Sequence, residues 1–249
     1  MNILVACEES QAVCKAFRER GHNAFSCDLI PCSGGHPEWH IIADALTLID
    51  GDCVFTTEAG ERFVMRGEWD MLLAFPPCTH LCASGQSWFS RGLKDPQLRE
   101  DAVSFFMRFV NADCDHIAIE NPVGVMSTRY RKPDQIIQPY EFGHPETKRT
   151  CLWLKGLPLL KPTQILAKPE GGWNNQQIRT DGKYGGFLNR DERGRIMSWN
   201  DPRTAIIRSK TYKGIAEAMA EQWGKITPTR VKQYRQMSLE DILDLQKGE

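Results

Sequence analysis

No stretch of the 249 residues approaches the ~18 consecutive apolar residues a membrane-crossing helix needs. A basic lead ahead of an apolar run is missing as well, since Met1-Asn2-Ile3-Leu4-Val5-Ala6-Cys7 passes straight into polar sequence. These absences predict a soluble, cytoplasmic protein with no membrane partner. Positive charge is not in excess either. The formal net charge is -1, so any nucleic-acid surface must be a local patch rather than a field over the whole molecule. Repeats and low-complexity tracts are lacking, which sets aside repeat architectures. Cys-x-x-Cys knuckles of structural zinc do not occur among the nine cysteines. That number is odd and the residues are scattered, as expected for reduced thiols in a reducing compartment, most of them acting as small buried hydrophobes. Cys78, His80 and Cys82 lie close together and His36 and His40 sit four apart, but this alternate spacing is weak as a ligand set and no metal is expected.

A chain of this length supports one full α/β domain plus a small accessory region. Ile3 to Ala6 reads as a buried strand and Ser10 to Arg20 as a helix stopped by Gly21. Strands follow at Asn23 to Cys27, Met71 to Ala74, His116 to Ile119 and Thr150 to Leu154, with a helix from about Pro96 to Asn111 between the third and fourth of these five strands. Asp95-Pro96 supplies a cap and a proline for that helix's first turn. The alternation predicts an α/β, Rossmann-like doubly wound sheet. Cys53 to Glu58 and Glu61 to Arg66 flank Ala59-Gly60 as a β-hairpin decorating the sheet. The expected organisation is a core over 1–157, a small irregular insertion over 158–208 and a helix returning to the core over 209–225. A tail over 226–249 follows, with a short helix opening at Ser238.

Two features carry chemistry. Pro76-Pro77-Cys78 ends the apolar run Met71-Leu72-Leu73-Ala74-Phe75, placing a thiol where a strand gives way to a loop. Glu120-Asn121-Pro122 directly follows the next apolar strand, so a carboxylate is expected at the same carboxyl edge, where open α/β sheets bind ligands.

In this order, Phe75-Pro76-Pro77-Cys78-Thr79-His80-Leu81-Cys82-Ala83-Ser84-Gly85, Ile119-Glu120-Asn121-Pro122 and Phe142-Gly143-His144-Pro145-Glu146-Thr147-Lys148-Arg149-Thr150-Cys151-Leu152-Trp153 resemble three motifs of the DNA (cytosine-5) methyltransferases. The likeness spans Ile3 to Leu154, with an echo at Gly214 to Trp223. It implies an S-adenosylmethionine-dependent methyltransferase-type sheet and a DNA partner, a duplex whose target cytosine is flipped out because carbon 6 is shielded in the stack. The resemblance implies that 1–157 is the catalytic core and 158–208 a short target-recognition-like insertion.

Cytosine carbon 5 is a poor nucleophile, and adding a thiolate to carbon 6 makes it enamine-like. The resemblance gives Cys78 that addition and Glu120 the role of general acid at N3. Arg149, with Lys148 as the other candidate, would stabilise charge at O2. It further implies cofactor contacts from Cys7, Glu8, Glu9, Ser10, Asp28, Asp44 and Pro76, and substrate contacts from Pro77, Ser84, Gly85, Asn121, Pro122 and Lys148. Ser87-Trp88-Phe89 and Arg91 could meet the vacated stack or phosphates, with Arg129 to Lys132 and Arg203 to Lys213 as further phosphate contacts.

The chain departs from the family at the first turn. Where a glycine-rich turn follows strand one, this sequence reads Ala6-Cys7-Glu8-Glu9-Ser10-Gln11. Glu8 and Glu9 are then either cofactor contacts or helix-start carboxylates. Two alternatives to DNA methylation stay open: a related C5-pyrimidine enzyme acting on nucleotide or RNA or with another donor, and a catalytically silent nucleic-acid binding module.

Overall fold

The computed structural model describes residues 1–168, 209–227 and 233–236. In chain order the strands are β1 (Asn2–Ala6), β2 (Asn23–Asp28), β3 (His40–Ile42), β4 (Val54–Thr56) and β5 (Arg62–Arg66), then β6 (Met71–Ala74), β7 (Ile117–Pro122), β8 (Gln135–Ile137), β9 (Thr150–Lys155) and β10 (Gln233–Gln236). The described helices are α1 (Ala12–Arg18), α2 (Gln86–Ser90), α3 (Gln97–Val110), α4 (Met126–Arg129) and α5 (Lys213–Trp223).

Apolar side chains that alternate along the strands dictate a sheet buried on both faces. Ile3 and Val5 of β1, Met71 and Leu73 of β6 and Ala118 of β7 join the core under α1 and α5, with Phe17, Met219 and Trp223. Leu4 and Ala6, Leu72 and Ala74, and Ile117 and Ile119 point the other way, onto Phe106 and Phe109 of α3 and Phe55, Phe63 and Trp69. Helices on both faces follow from right-handed crossovers that leave β1 in opposite directions.

The central sheet has seven strands in the order β3-β2-β1-β6-β7-β9-β8. Setting β9 aside, the strands run parallel in a doubly wound order that reverses between β1 and β6. β9 is inserted antiparallel to both β7 and β8. The architecture is thus α/β with a mostly parallel sheet, compatible with a Rossmann-like fold.

Three details differ from the sequence reading. The hairpin β4–β5 forms, but in a sheet of its own completed by β10 rather than on the central sheet. β7 runs on through Pro122, because β9 pairs with it as far as Pro122 opposite Thr150, so Glu120 and Asn121 are strand residues rather than the start of a loop. β3 and β8, three residues each, went unseen in the sequence. Most of the insertion at 158–208 and the helix expected at Ser238 lie outside the described residues.

Candidate active site

The strand order brings the carboxyl ends of β1, β2, β3, β6 and β7 to one edge. Ala6 stands opposite Ala74, and the Phe75 N–H donates to the Ala6 carbonyl at 3.0 Å. β9 runs the other way, so the residues before it, Lys148 and Arg149, arrive at that same edge beside the end of β7.

The turn after β1 shows what replaces the missing glycines. Cys7 and Gln11 both hold left-handed backbone, with φ of 60° and 57°. Such a conformation costs a non-glycine residue ~1–2 kcal/mol and persists where its surroundings over-determine it. Gln11 is held firmly: its side-chain amide donates to the His36 carbonyl at 2.8 Å and accepts from the His36 N–H at 3.0 Å. Gly34 lies so close that a Cβ there would sit 2.5 Å from the Gln11 Cβ. His36 also stacks on Trp39, while His40 is buried between Ser26 and the Ile30 carbonyl.

Of the residues expected at a cofactor, Cys7, Asp28 and Asp44 gather beside one another at this edge. Burial first, then the charges of Asp28, Cys27 and Asp44, push the Cys7 thiol far up, so it is an inert neighbour. Half-buried Asp28 accepts from the Leu29 N–H at 2.7 Å and has its carboxyl raised by burial. Exposed Asp44 caps the short turn that follows it, accepting from the Leu46 N–H at 3.0 Å. Glu9 is partly buried and its Oε1 has no hydrogen-bond partner among the described residues. Ser10, next to Gln11, is partly buried, and Pro76 is buried.

Glu8 belongs with the helix rather than the crevice. Glu8 is 4% exposed, and its carboxylate accepts from the Val13 and Cys14 N–H groups at 2.7 and 3.1 Å, closing the start of α1. Burial pushes its carboxyl up to about 7, against those two donors. An unfolded glutamate ionises near ~4.3. Between these values the folded protein keeps a proton that the unfolded chain has lost. Stability therefore falls as pH rises through that window and levels off above about 7. Denaturant unfolding at about pH 5 and pH 8 should show a loss of about 3 kcal/mol from this group, and Glu8→Gln should flatten it.

Cys78 and Glu120 are brought together by two ties. The buried Asn121 donates from Nδ2 to the Pro76 carbonyl at 2.8 Å, leaving its Oδ1 buried without a partner among the described residues. The loop after Cys78 then pairs with the loop after Pro122: the Ala83 N–H donates to Val123 at 3.1 Å and the Val125 N–H to Leu81 at 2.9 Å. Gly124 makes this approach possible, since a Cβ there would lie 2.0 Å from the Leu81 carbonyl oxygen. Gly124→Ala should cost about 1–3 kcal/mol in unfolding experiments.

Cys78 and Pro77 are exposed, Glu120 and Pro122 partly buried, and Ser84 and Gly85 lie in the turn Ala83–Gly85. Desolvation pushes the Cys78 thiol up to about 11; the Glu120 and Cys82 charges add to this and Lys148 opposes it. Burial raises the Glu120 carboxyl, again opposed by Lys148. Lys148 is therefore the cation that acts on both groups. Arg149, the first choice from sequence, is exposed, and its charge acts on the Cys151 thiol instead.

Sequence reasoning missed what supports Lys148. The Tyr212 hydroxyl donates to the Glu146 carboxylate, the Lys148 ammonium lies 5.9 Å from the Tyr212 ring, and the Gly214 N–H donates to His144 at 2.9 Å. A Cβ at Gly214 would meet the Phe142 carbonyl oxygen at 1.9 Å, so only glycine lets α5 dock here. The close glycines of Asn-Pro-Val-Gly and Tyr-Lys-Gly were the available signal. Compared with models of protein families and with curated proteins, the chain matches none.

Proposed function

We propose that this chain is a DNA cytosine-5 methyltransferase of the S-adenosylmethionine-dependent type. One observation carries the reading: an exposed thiol, a partly buried carboxyl and a lysine share the carboxyl edge of a doubly wound sheet. The thiol loop is tied to the carboxyl strand through Asn121 and Gly124. Three motifs in family order support it independently.

The cytosine must leave the duplex stack before carbon 6 is accessible. Cys78 loses its proton and its sulfur bonds to carbon 6, the ring electrons moving toward N3. Glu120, whose carboxyl burial shifts toward the protonated form, donates to N3 as that charge grows. Lys148 offsets charge at O2, with Arg149 the second cation. Carbon 5 then takes the methyl group of a bound sulfonium donor, leaving a neutral thioether. The carbon-5 proton passes to solvent water, N3 returns its proton to Glu120, and breaking the S–C6 bond returns the Cys78 thiolate.

The residues of the β1–β2–β3 edge fit a cofactor carrying a sulfonium, an amino group and ribose hydroxyls. Asp28 and Asp44 offer carboxylates, the unpartnered Oε1 of Glu9 has acceptor capacity in hand, and the Cys7 turn brings backbone to the crevice. S-adenosylmethionine, when bound, supplies the electrophilic methyl group.

Incubation with labelled cofactor and duplex DNA, followed by mass spectrometry of the nucleosides, tests the proposal. The expected product is 5-methylcytosine in DNA; an intact fold that transfers no label would overturn it. A second reading, the same pyrimidine chemistry with another donor or with RNA or nucleotide, is favoured by the glycine-free turn and the engagement of Glu8 by α1. A different mass, or label in those substrates alone, would select it.

A further inference from the structure

Beyond the thiol, α2, the first turn of α3 and α4 border an open surface cleft of about 300 Å³ lined by Gln86, Phe89, Ser90, Arg99, Glu100 and Arg129. That volume is at the lower end of the ~300–1,000 Å³ of ligand pockets, so it suits a small group rather than a nucleoside cofactor. Two guanidinium groups against one carboxylate give the lining a positive balance, and the Lys94 ammonium lies 5.8 Å from the same Phe89 ring. The occupant that chemistry favours is an anion.

Arg99 is the sharper sign. Its Nε donates to the His80 carbonyl at 3.2 Å and the Phe89 ring lies over its Cζ at 3.8 Å. Its Nη2 is buried and has no hydrogen-bond partner among the described residues. A buried charged donor left unmade is destabilising and rare, and a guanidinium matches phosphate in geometry. The start of α3 does not serve the cleft, because the Asp95 carboxylate already takes the Gln97 N–H at 2.9 Å. Arg129 forks onto the exposed Glu100 carboxylate, a pairing worth little in solvent and readily traded for phosphate.

We propose that this cleft is a phosphate subsite, taking a backbone phosphate of the polynucleotide whose cytosine reacts at Cys78. Arg99 and Arg129 donate to the phosphate oxygens, and Phe89 tilts off the guanidinium to open Nη2. Because Arg99 holds the carbonyl of His80, two residues from Cys78, an occupied subsite steadies the nucleophile loop. The proposal rests on the reading of the chain as an enzyme of polymeric cytosine.

Fluorescence-polarisation titrations of a duplex of about 20 base pairs across a range of salt test it. Each phosphate contact contributes ~0.9 to the slope of log K against log salt, so Arg99→Gln and Arg129→Gln should each lower the slope by about one, whatever the DNA sequence. Arg129 is exposed, so its variant keeps the test decisive if Arg99→Gln unsettles the loop. Unchanged slopes alongside intact binding would overturn the subsite. If the unaltered protein binds no duplex, the DNA reading fails separately, and calorimetry with deoxycytidine monophosphate and with inorganic phosphate decides. Binding weakened about tenfold or more by Arg129→Gln upholds a phosphate site for a free nucleotide rather than a polymer. Equal or absent binding overturns it.

Discussion

On the proposed function, Cys78→Ser should abolish base modification, with a loss on the order of 10³-fold or more, as expected when a covalent nucleophile is removed. The thiolate is the attacking species, and a hydroxyl does not ionise to any useful extent in its place. Accessibility singles out Cys78: Cys14, Cys27, Cys114 and Cys151 are buried and Cys7 and Cys82 are partly so, whereas Cys78 is exposed. Cys78 is exposed, so the substitution should leave unfolding free energy within about 0.5 kcal/mol. Duplex binding should survive as well, since the contacts proposed for phosphate lie elsewhere. Duplex containing 5-fluorocytosine gives the clearest reading. The fluorine at carbon 5 cannot leave as a proton does, so the sulfur remains bonded to carbon 6 and the complex resists denaturant. Unaltered protein should form that adduct and the serine variant should not. Equal modification by both would remove the covalent step.

Which parts of this were legible in the sequence follows from the range of the interactions. β1, β2, β6, β7, α1 and α3 could be read because each is written locally, in an apolar run or a helical stripe bounded by glycine or proline. The thiol and the carboxylate were legible for the same reason, each following such a run. β10 was not, because its partner β5 is far away in sequence and four residues carry little pattern of their own. The extension of β7 through Glu120 is a tertiary effect imposed by β9. Glu8 shows the limit most clearly. Two adjacent glutamates have the same local chemistry, and only the path of the turn, set by the left-handed Cys7 and Gln11, sends one to the helix start and leaves the other with an oxygen that meets no hydrogen-bond partner among the described residues. Likewise Lys148 and Arg149 are adjacent, and the docking of Tyr212 and Gly214 distinguishes them. Neighbours in sequence that differ by one position on a turn are resolved only by packing.

Glu120→Gln should change two measurements in opposite directions. On the proposed mechanism it removes the proton donor at N3, and modification should fall ~10²–10⁴-fold. Labelling of Cys78 by iodoacetamide should instead become faster, because the carboxylate is one of the charges that hold the thiol up at about 11. At that value the thiolate fraction near neutral pH is on the order of 10⁻⁴, so labelling of the unaltered protein should rise about tenfold per pH unit until the thiol titrates. The two curves should not be parallel. Below the titration of Glu120 its carboxyl is neutral in the native protein and the neutral amide of the variant has nothing to relieve, so the labelling rates converge. As pH rises through the elevated Glu120 value, the carboxylate forms, holds back the Cys78 thiolate and opens the gap. The pH at which the curves separate therefore reports the ionisation of Glu120 without cofactor or DNA present. Lys148→Gln should act with the reverse sign, slowing labelling, because its ammonium favours the thiolate. A residue with only a packing role would lower modification and leave the labelling curves superimposed. That outcome would deny Glu120 its place beside the thiol, whereas curves that separate with modification unchanged would deny it the proton transfer.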